Sequence, residues 1–167
     1  LYASGTLSCY GDNGYGVLGD GTRTDRTNLV DVLFPTGSGV PTSVSMHDRN
    51  NPQTTCSLMD DGNVYCWGDS AYIGIPNACT LYAAYCDGSS LTRPIGVLDF
   101  GSIDSPVSSI ESTSYYYPAS CAVHEEGTAS CWGNNAYGRL GNGYIGSSTE
   151  VDQVIMPAAS GDILSIE

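Results

Sequence analysis

The sequence lacks lysine altogether and contains only five arginines, against eighteen aspartates and glutamates. The net charge of −13 disfavours a nucleic-acid partner, because affinity for a phosphate backbone depends mainly on Lys and Arg side chains that displace counterions. The same charge repels anionic lipid. We therefore expect no nucleic acid among the partners of the chain.

Long hydrophobic runs are also missing. No stretch approaches the ~18 consecutive apolar residues of a membrane-spanning helix, so no membrane insertion is predicted. The sequence does not open with a basic segment followed by an apolar one, and we expect a mature, soluble segment. No amphipathic pattern of 3.6 residues continues beyond two turns, which predicts little helix.

Residue patterns typical of catalysis are scarce. His47 and His124 are the only imidazoles, and there is no Gly-x-Ser-x-Gly elbow, no recognisable nucleophilic cysteine and no carboxylate pair at a recognisable position. We predict a protein that is not an enzyme and needs no cofactor. Calcium is an alternative because aspartates recur in glycine-rich turns, but no twelve-residue EF-type loop is present, and no metal site is predicted.

What the sequence does contain is one motif written three times. The copies occupy residues 5–21, 62–76 and 127–143, and their shared cysteines are 57 and then 65 residues apart. A repeat of this length suits a four-stranded β-propeller blade. An aromatic residue follows each shared cysteine, and we predict that these three side chains fill the core between neighbouring blades. They are Tyr10, Trp67 and Trp132.

The repeats predict an all-β fold with blades of four antiparallel strands, about three of which are present as an incomplete propeller or open array. Three blades are too few to close a propeller. We therefore expect either a segment of a longer array or a subunit that completes a blade of its neighbour. The predicted units are 1–36, the later strands of one blade; 41–99, a second blade with an insertion at 76–90; 105–157, a third blade; and 160–167, the first strand of a further blade.

Seven cysteines are present, and their spacing predicts disulfides. Two pairs flank three-residue turns that end in glycine, so each pair lies directly across a hairpin and within bonding reach. A third pair closes the insertion. Zinc binding is the alternative, but this spacing without a nearby His pair fits zinc poorly. The predicted pairs are Cys56–Cys66, Cys121–Cys131 and Cys79–Cys86.

Cys9 has no partner in this scheme. The register of the other hairpins places its partner two residues upstream of Leu1, and we expect that partner there or in another polypeptide. A free buried thiol is the alternative. At the other end, the sequence of residues 165–167 repeats that of residues 109–111, the end of a first blade strand. The two ends of the sequence are therefore expected to lie in one sheet.

The strings CYGDNGYGVLGDG and CWGNNAYGRLGNG resemble the repeat of the regulator of chromosome condensation family of β-propellers. The second copy departs from it after Tyr72, reading IGIPNAC. The resemblance implies a propeller of about seven blades whose faces are binding platforms. Because the Gly-x-x-His that usually follows the first strand is absent, site residues of intracellular members are not carried over. The hairpin cysteines are similar to those of secreted relatives, since such bridges persist in oxidising compartments.

Aromatic residues that the repeat does not require form the candidate binding surface, since rigid rings beside a disulfide or a proline are typical of interfaces. Local packing under a neighbouring loop is the alternative. The residues are Tyr82, Tyr85, Tyr115, Tyr116 and Tyr117.

Together these features predict a non-catalytic structural or adhesive protein, extracellular or at the cell surface, that forms a filament through shared blades. The expected partners are other copies of the chain or flanking repeats of a longer one, with a protein or glycan ligand as the other class. The alternative function is a secreted binding module, either a protein inhibitor or a carbohydrate-binding domain, that uses the aromatic loops on one face.

Overall fold

The computed structural model describes residues 1–47, 53–101, 103, 105–112, 118–146, 148–157 and 161–165. Within them the fold is almost entirely β, as the repeats predict, with three antiparallel sheets that we call blades 1, 2 and 3. The strands are β1 Ser8–Gly11 and β2 Arg26–Asp31; β3 Pro41–Met46, β4 Thr54–Met59, β5 Val64–Asp69, β6 Cys86–Asp87 and β7 Ser90–Leu91; and β8 Val107–Ser112, β9 Ala119–His124, β10 Ala129–Gly133 and β11 Ser148–Gln153.

Blade 3 is the regular four-stranded blade, with strand order β11-β10-β9-β8, and blade 1 contributes β1 and β2. Blade 2 differs, with order β3-β4-β5-β7-β6. Its insertion contains a short helix α1, Ala78–Leu81, a 3-10 turn at Ala83–Tyr85 and the strands β6 and β7. Because β7 pairs with the end of β5, the usual outer strand is reduced to one bridge between Tyr65 and Val97.

The hairpins have the register that the cysteines predict. Cys56 lies opposite Cys66, and Cys121 lies opposite Cys131, with Cα atoms 4.1 Å apart in both bridges. The glycine that ends the β4–β5 turn, Gly62, has a φ of +81°, a conformation that a side chain disfavours. The third disulfide, Cys79–Cys86, closes the insertion with its Cα atoms 5.5 Å apart.

Each joint between blades is built around a tryptophan. Trp67 is completely buried and donates a hydrogen bond from Nε1 to the carbonyl of Val17 in the preceding blade, at 2.8 Å. Its ring also meets the edge of Phe34, with centroids 5.9 Å apart. At the next joint Trp132 is equally buried and meets Phe100 at 6.2 Å. The prediction that these rings fill the space between blades is correct for both tryptophans.

The prediction is wrong for Tyr10, whose side chain is 69% exposed. Tyr10 follows Cys9 as the tryptophans follow Cys66 and Cys131, so it points away from blade 2. Within the described residues no blade lies on that side of β1, and the ring therefore remains in solvent.

The turn glycines also mark the joints. A Cβ atom on Gly62 would lie 2.9 Å from Cβ of Pro106, at the start of blade 3. In blade 3 a Cβ on Gly127 would collide with Asp162, and the amide of Ile163 donates to the carbonyl of Gly127 at 2.9 Å. Residues 161–165 thus contact blade 3 where a further blade would begin, although they carry no assigned strand.

Candidate interaction surfaces

The outer side of blade 3 carries a groove of about 340 Å³, which we call the tail groove. Leu140, Gly141 and Val154 line it together with the Cys121–Cys131 disulfide. Gly19 of blade 1 holds the same repeat position as Gly141. It shows what such a groove holds, because a Cβ on Gly19 would lie 3.0 Å from the indole nitrogen of Trp67 in blade 2. The tail groove therefore has the position of a slot for the aromatic residue of a following blade.

The loop of blade 3 that contributes Leu140 and Gly141 to the tail groove also carries exposed large side chains. Tyr137, Tyr144 and Ile145 are all largely in solvent. In blade 1 the residue equivalent to Ile145 is Arg23, whose guanidinium reaches across the joint to the carbonyl of Asp87 at 3.4 Å. Ile145 thus lies at the position from which blade 1 contacts its neighbouring blade.

The opposite end of the array is the head face, formed by β1 with the exposed Tyr10. On β1, Cys9 is half-buried and pairs in register with Val30 of β2. Its free thiol occupies the place that Cys66 and Cys131 take in the other blades. Burial raises the pKa of the Cys9 thiol, so the reactive thiolate is scarce at neutral pH.

The insertion of blade 2 packs against the body of the molecule. Tyr82 is half-buried, and a Cβ on Gly96 would lie 2.9 Å from its ring. Tyr85 is also half-buried, with the Arg93 guanidinium 5.0 Å from its ring centroid. Leu81, at the end of α1, is exposed. Of the predicted binding surface, residues 115–117 lie outside the described part of the chain.

Two buried asparagines organise the loops that form the joints, and sequence reasoning missed both. Asn13 Oδ1 accepts from the amide of Leu18, and its Nδ2 donates to the carbonyls of Thr22 and Thr24. Asn135 likewise accepts from the amide of Leu140 and donates to the carbonyl of Tyr144. The sequence signal for these residues is an asparagine four residues after the shared cysteine. It occurs in the first and third copies, which keep the glycine-rich loop, and not in the second.

Asp20 ties the same loop of blade 1 to β2. Arg26 forms an ion pair with Oδ2 of Asp20 at 2.6 Å. The backbone amide and the hydroxyl of Thr22 both donate hydrogen bonds to Oδ1 of Asp20. Although burial opposes the charged form, the hydrogen bonds from Thr22 and Arg26 prevail and lower the pKa of Asp20. Three other side chains in the repeat loops each accept a hydrogen bond from the backbone amide two residues ahead, which fits a turn-forming role. They are Asp12, Asp69 and Asn134.

The two histidines form no catalytic arrangement in the described residues. His124 is buried, and its ring nitrogens contact the carbonyl of Ser105 at 3.1 Å and the hydroxyl of Ser130 at 3.0 Å. His47 is buried as well. No group of three or more potential metal ligands occurs within the described ranges. The helices found in this part of the chain are too short to span a membrane.

Comparison with known proteins agrees with this architecture. Residues 52–72 match the family model for the regulator of chromosome condensation (RCC1) repeat. Among solved structures, Prp20p from Saccharomyces cerevisiae, studied for its binding to Gsp1p and histones, superposes with a TM-score of 0.75 and 20% identity over 95% of this chain and 36% of its own.

Two further structures are similar. Human WBSCR16 has a TM-score of 0.70 and 17% identity over 93% of this chain and 34% of its own. Yeast RCC1 (Prp20) bound to Kap60 has a TM-score of 0.75 and 21% identity, with coverages of 95% and 35%. The chain thus spans about one third of each similar structure, and at these identities the likeness shows the fold.

Proposed function

Since the chain is a β-propeller repeat protein of the RCC1 type, we propose that it is a non-catalytic protein-binding scaffold that acts outside the cell or at its surface. In this proposal its structural or adhesive role depends on assembly through blade joints, with further blades supplied by other copies or by flanking repeats. The basis is the pair of complementary surfaces at the two ends of the array.

The observation that carries the proposal is the contrast between Tyr10 and the two tryptophans. Trp67 and Trp132 are each completely buried by the loop of the preceding blade, whereas Tyr10, at the same repeat position, is 69% exposed. The tail groove offers the loop surface that such a ring needs. A further blade that covered Tyr10 or entered the tail groove would repeat a joint that the molecule already contains twice, whether flanking repeats or another copy supplied it; between copies, Tyr10 of one would enter the tail groove of the next.

Such a contact is heterologous, because two different surfaces meet, and it produces rings or filaments according to whether the rotation closes. The exposed side of β1 adds a second means of association, since unpaired strand groups can accept a strand from another chain. If flanking repeats supplied the strand, Cys9 would bond to a cysteine in it, as Cys66 bonds to Cys56 within blade 2; the other six cysteines of a second copy are already bridged.

Three disulfides in the described chain support an oxidising compartment, where such bridges persist. Their local spacing means that each stabilises one hairpin or the insertion. An extracellular or cell-surface location is therefore part of the proposal. Secretion of the full-length protein from its host, followed by non-reducing peptide mapping, tests it; free thiols at the six positions would contradict it.

Assembly is tested by analytical ultracentrifugation of the chain across a wide concentration range. We expect wild-type protein to associate and Tyr10→Asp to remain monomeric, because an aspartate has no ring to fill the groove that Leu140 and Val154 line. Leu81→Asp is the matched control, since Leu81 is also exposed but lies on the insertion. A monomeric wild type, or equal association of both variants, would refute assembly between copies through the joints and leave flanking repeats as the source of further blades.

The second candidate is a secreted binding module, either a protein inhibitor or a carbohydrate-binding domain, that uses the insertion of blade 2. The exposed Leu81, on a helix that the Cys79–Cys86 disulfide holds rigid, favours this reading. Under it, Leu81→Asp would abolish ligand binding while Tyr10→Asp would not. The same two variants therefore distinguish the two functions.

A further inference from the structure

One difference between the two joints lies directly before the shared cysteine. The residue directly before the shared cysteine points toward the preceding blade, as the tryptophan two positions later does. In blade 2 this residue is Tyr65, which is buried and meets the edge of Phe34 with centroids 6.1 Å apart. In blade 3 the equivalent residue is Ser130. A full aromatic ring present at the first joint is therefore missing from the second.

A cavity of about 510 Å³ lies at the second joint. Ser130 forms part of its floor, with Phe100 from blade 2 and Val151 from β11 in its walls. Phe100 is the counterpart of Phe34, and it packs against His124 and Trp132 without filling this space. The volume falls within the ~300–1,000 Å³ range that is typical of ligand pockets.

The lining of the cavity combines apolar side chains with acidic groups. Asp99 and Glu150 both line it and both are exposed to solvent, whereas neither Arg nor Lys belongs to its described lining. The surrounding chain carries a net charge of −13. A ligand that brings one aromatic ring and an adjacent positive charge complements both features.

We propose that this cavity binds a tyrosine side chain flanked by basic residues on an extended segment of a partner protein. The inference rests on the proposed protein-binding function and adds the chemistry of one partner. The ring would take the place that Tyr65 occupies at the first joint, and the basic residues would face Asp99 and Glu150. A second copy of the chain fits poorly as the occupant, because it has no lysine and none of its tyrosines is directly preceded or followed by an arginine.

The test measures binding of the blocked tripeptide Arg-Tyr-Arg by calorimetry, with Arg-Ala-Arg and Glu-Tyr-Glu as peptide controls. Ser130→Tyr fills the cavity as blade 2 does and should weaken Arg-Tyr-Arg binding by about tenfold or more. Ser8→Tyr is the matched control, because Ser8 holds the same repeat position in blade 1 and should leave binding unchanged. Glu150→Gln should weaken binding severalfold and reduce its salt dependence.

Ser130→Ala is the control for the lost hydroxyl, because it removes the contact with His124 as Ser130→Tyr does but keeps the cavity open, and it should bind as wild type does. Unchanged Arg-Tyr-Arg binding in folded Ser130→Tyr would overturn the proposal. Equal binding of Arg-Ala-Arg would also overturn it, by showing charge attraction without recognition of the ring. If Ser130→Tyr abolished self-association and left peptide binding intact, a second copy would be the occupant. Intact self-association with no peptide binding would overturn this inference alone.

Discussion

The contact between the turn of one blade and the start of the next can be measured with two glycine substitutions. Gly62 and Gly37 have nearly the same backbone conformation, with φ of +81° and +84°. Their surroundings differ, because a Cβ on Gly62 would lie 2.9 Å from Cβ of Pro106, whereas a Cβ on Gly37 would meet nothing within 4 Å. Alanine at either position pays the same backbone strain, and only at Gly62 does it also push against the next blade.

The strain of a left-handed non-glycine residue is roughly 1–2 kcal/mol, and forcing a methyl group into a packed contact adds about 1–3 kcal/mol. We therefore expect Gly37→Ala to lower the free energy of unfolding by about 1–2 kcal/mol and Gly62→Ala by about 2–5 kcal/mol. In a chain of this size the difference corresponds to roughly 2–12 °C in Tm.

Urea unfolding under oxidising conditions, followed by intrinsic fluorescence and circular dichroism, gives both free energies. The comparison is valid if the two variants share the m-value of wild type, since a changed slope indicates a change in the unfolded or native ensemble. Equal losses at Gly62 and Gly37 would refute the claim that the hairpin turn supports the joint. The backbone strain of a left-handed alanine would then account for the whole loss of unfolding free energy in both variants.

Three other measurements follow from the loops and bridges. Asn13→Ala should cost about 2–4 kcal/mol in unfolding free energy, because it strips buried backbone groups of their partners, whereas Asp12→Ala at the exposed neighbour should cost under about 1 kcal/mol. For Asp20, whose pKa is lowered in the folded state, the stabilising contribution is present above the ordinary value of 3.8 and lost as the pH falls through the lowered pKa; the stability gap between wild type and Asp20→Asn should therefore close on acidification, and a constant gap would contradict it. Replacing Cys56 and Cys66 together by serine should lower the free energy of unfolding by about 3 kcal/mol, an effect that reduction of wild type should reproduce in part.

The hairpins were predictable from sequence because their determinants are local. The spacing of Cys56 and Cys66 about a turn ending in Gly62 fixes strand register, and register fixes which side chains point toward a neighbouring blade. Burial of Trp67 and Trp132 followed from the same alternation. Each of these inferences needs only one repeat and its immediate continuation.

The features that the sequence did not predict depend mainly on contacts between one repeat and the next. Tyr10 has the pattern of a core residue, yet its exposure depends on whether a blade covers it. The cavity at Ser130 arises from the absence of a ring that blade 2 supplies at Tyr65, and no property of Ser130 itself signals this. Asn13 lies in a glycine-rich loop beside turn-forming residues, and its hydrogen bonds extend to residues up to eleven positions away, which no local pattern indicates.

The dependence of each tryptophan on the preceding blade gives the array a direction. Trp67 needs the carbonyl of Val17 and Trp132 needs Phe100, so each ring is covered by residues that a ribosome makes earlier. The bridges are equally local, with sequence separations of 7 or 10. A growing chain can therefore oxidise and pack each blade onto a finished template before the next one emerges, which limits the mispairing that long repeat arrays otherwise risk.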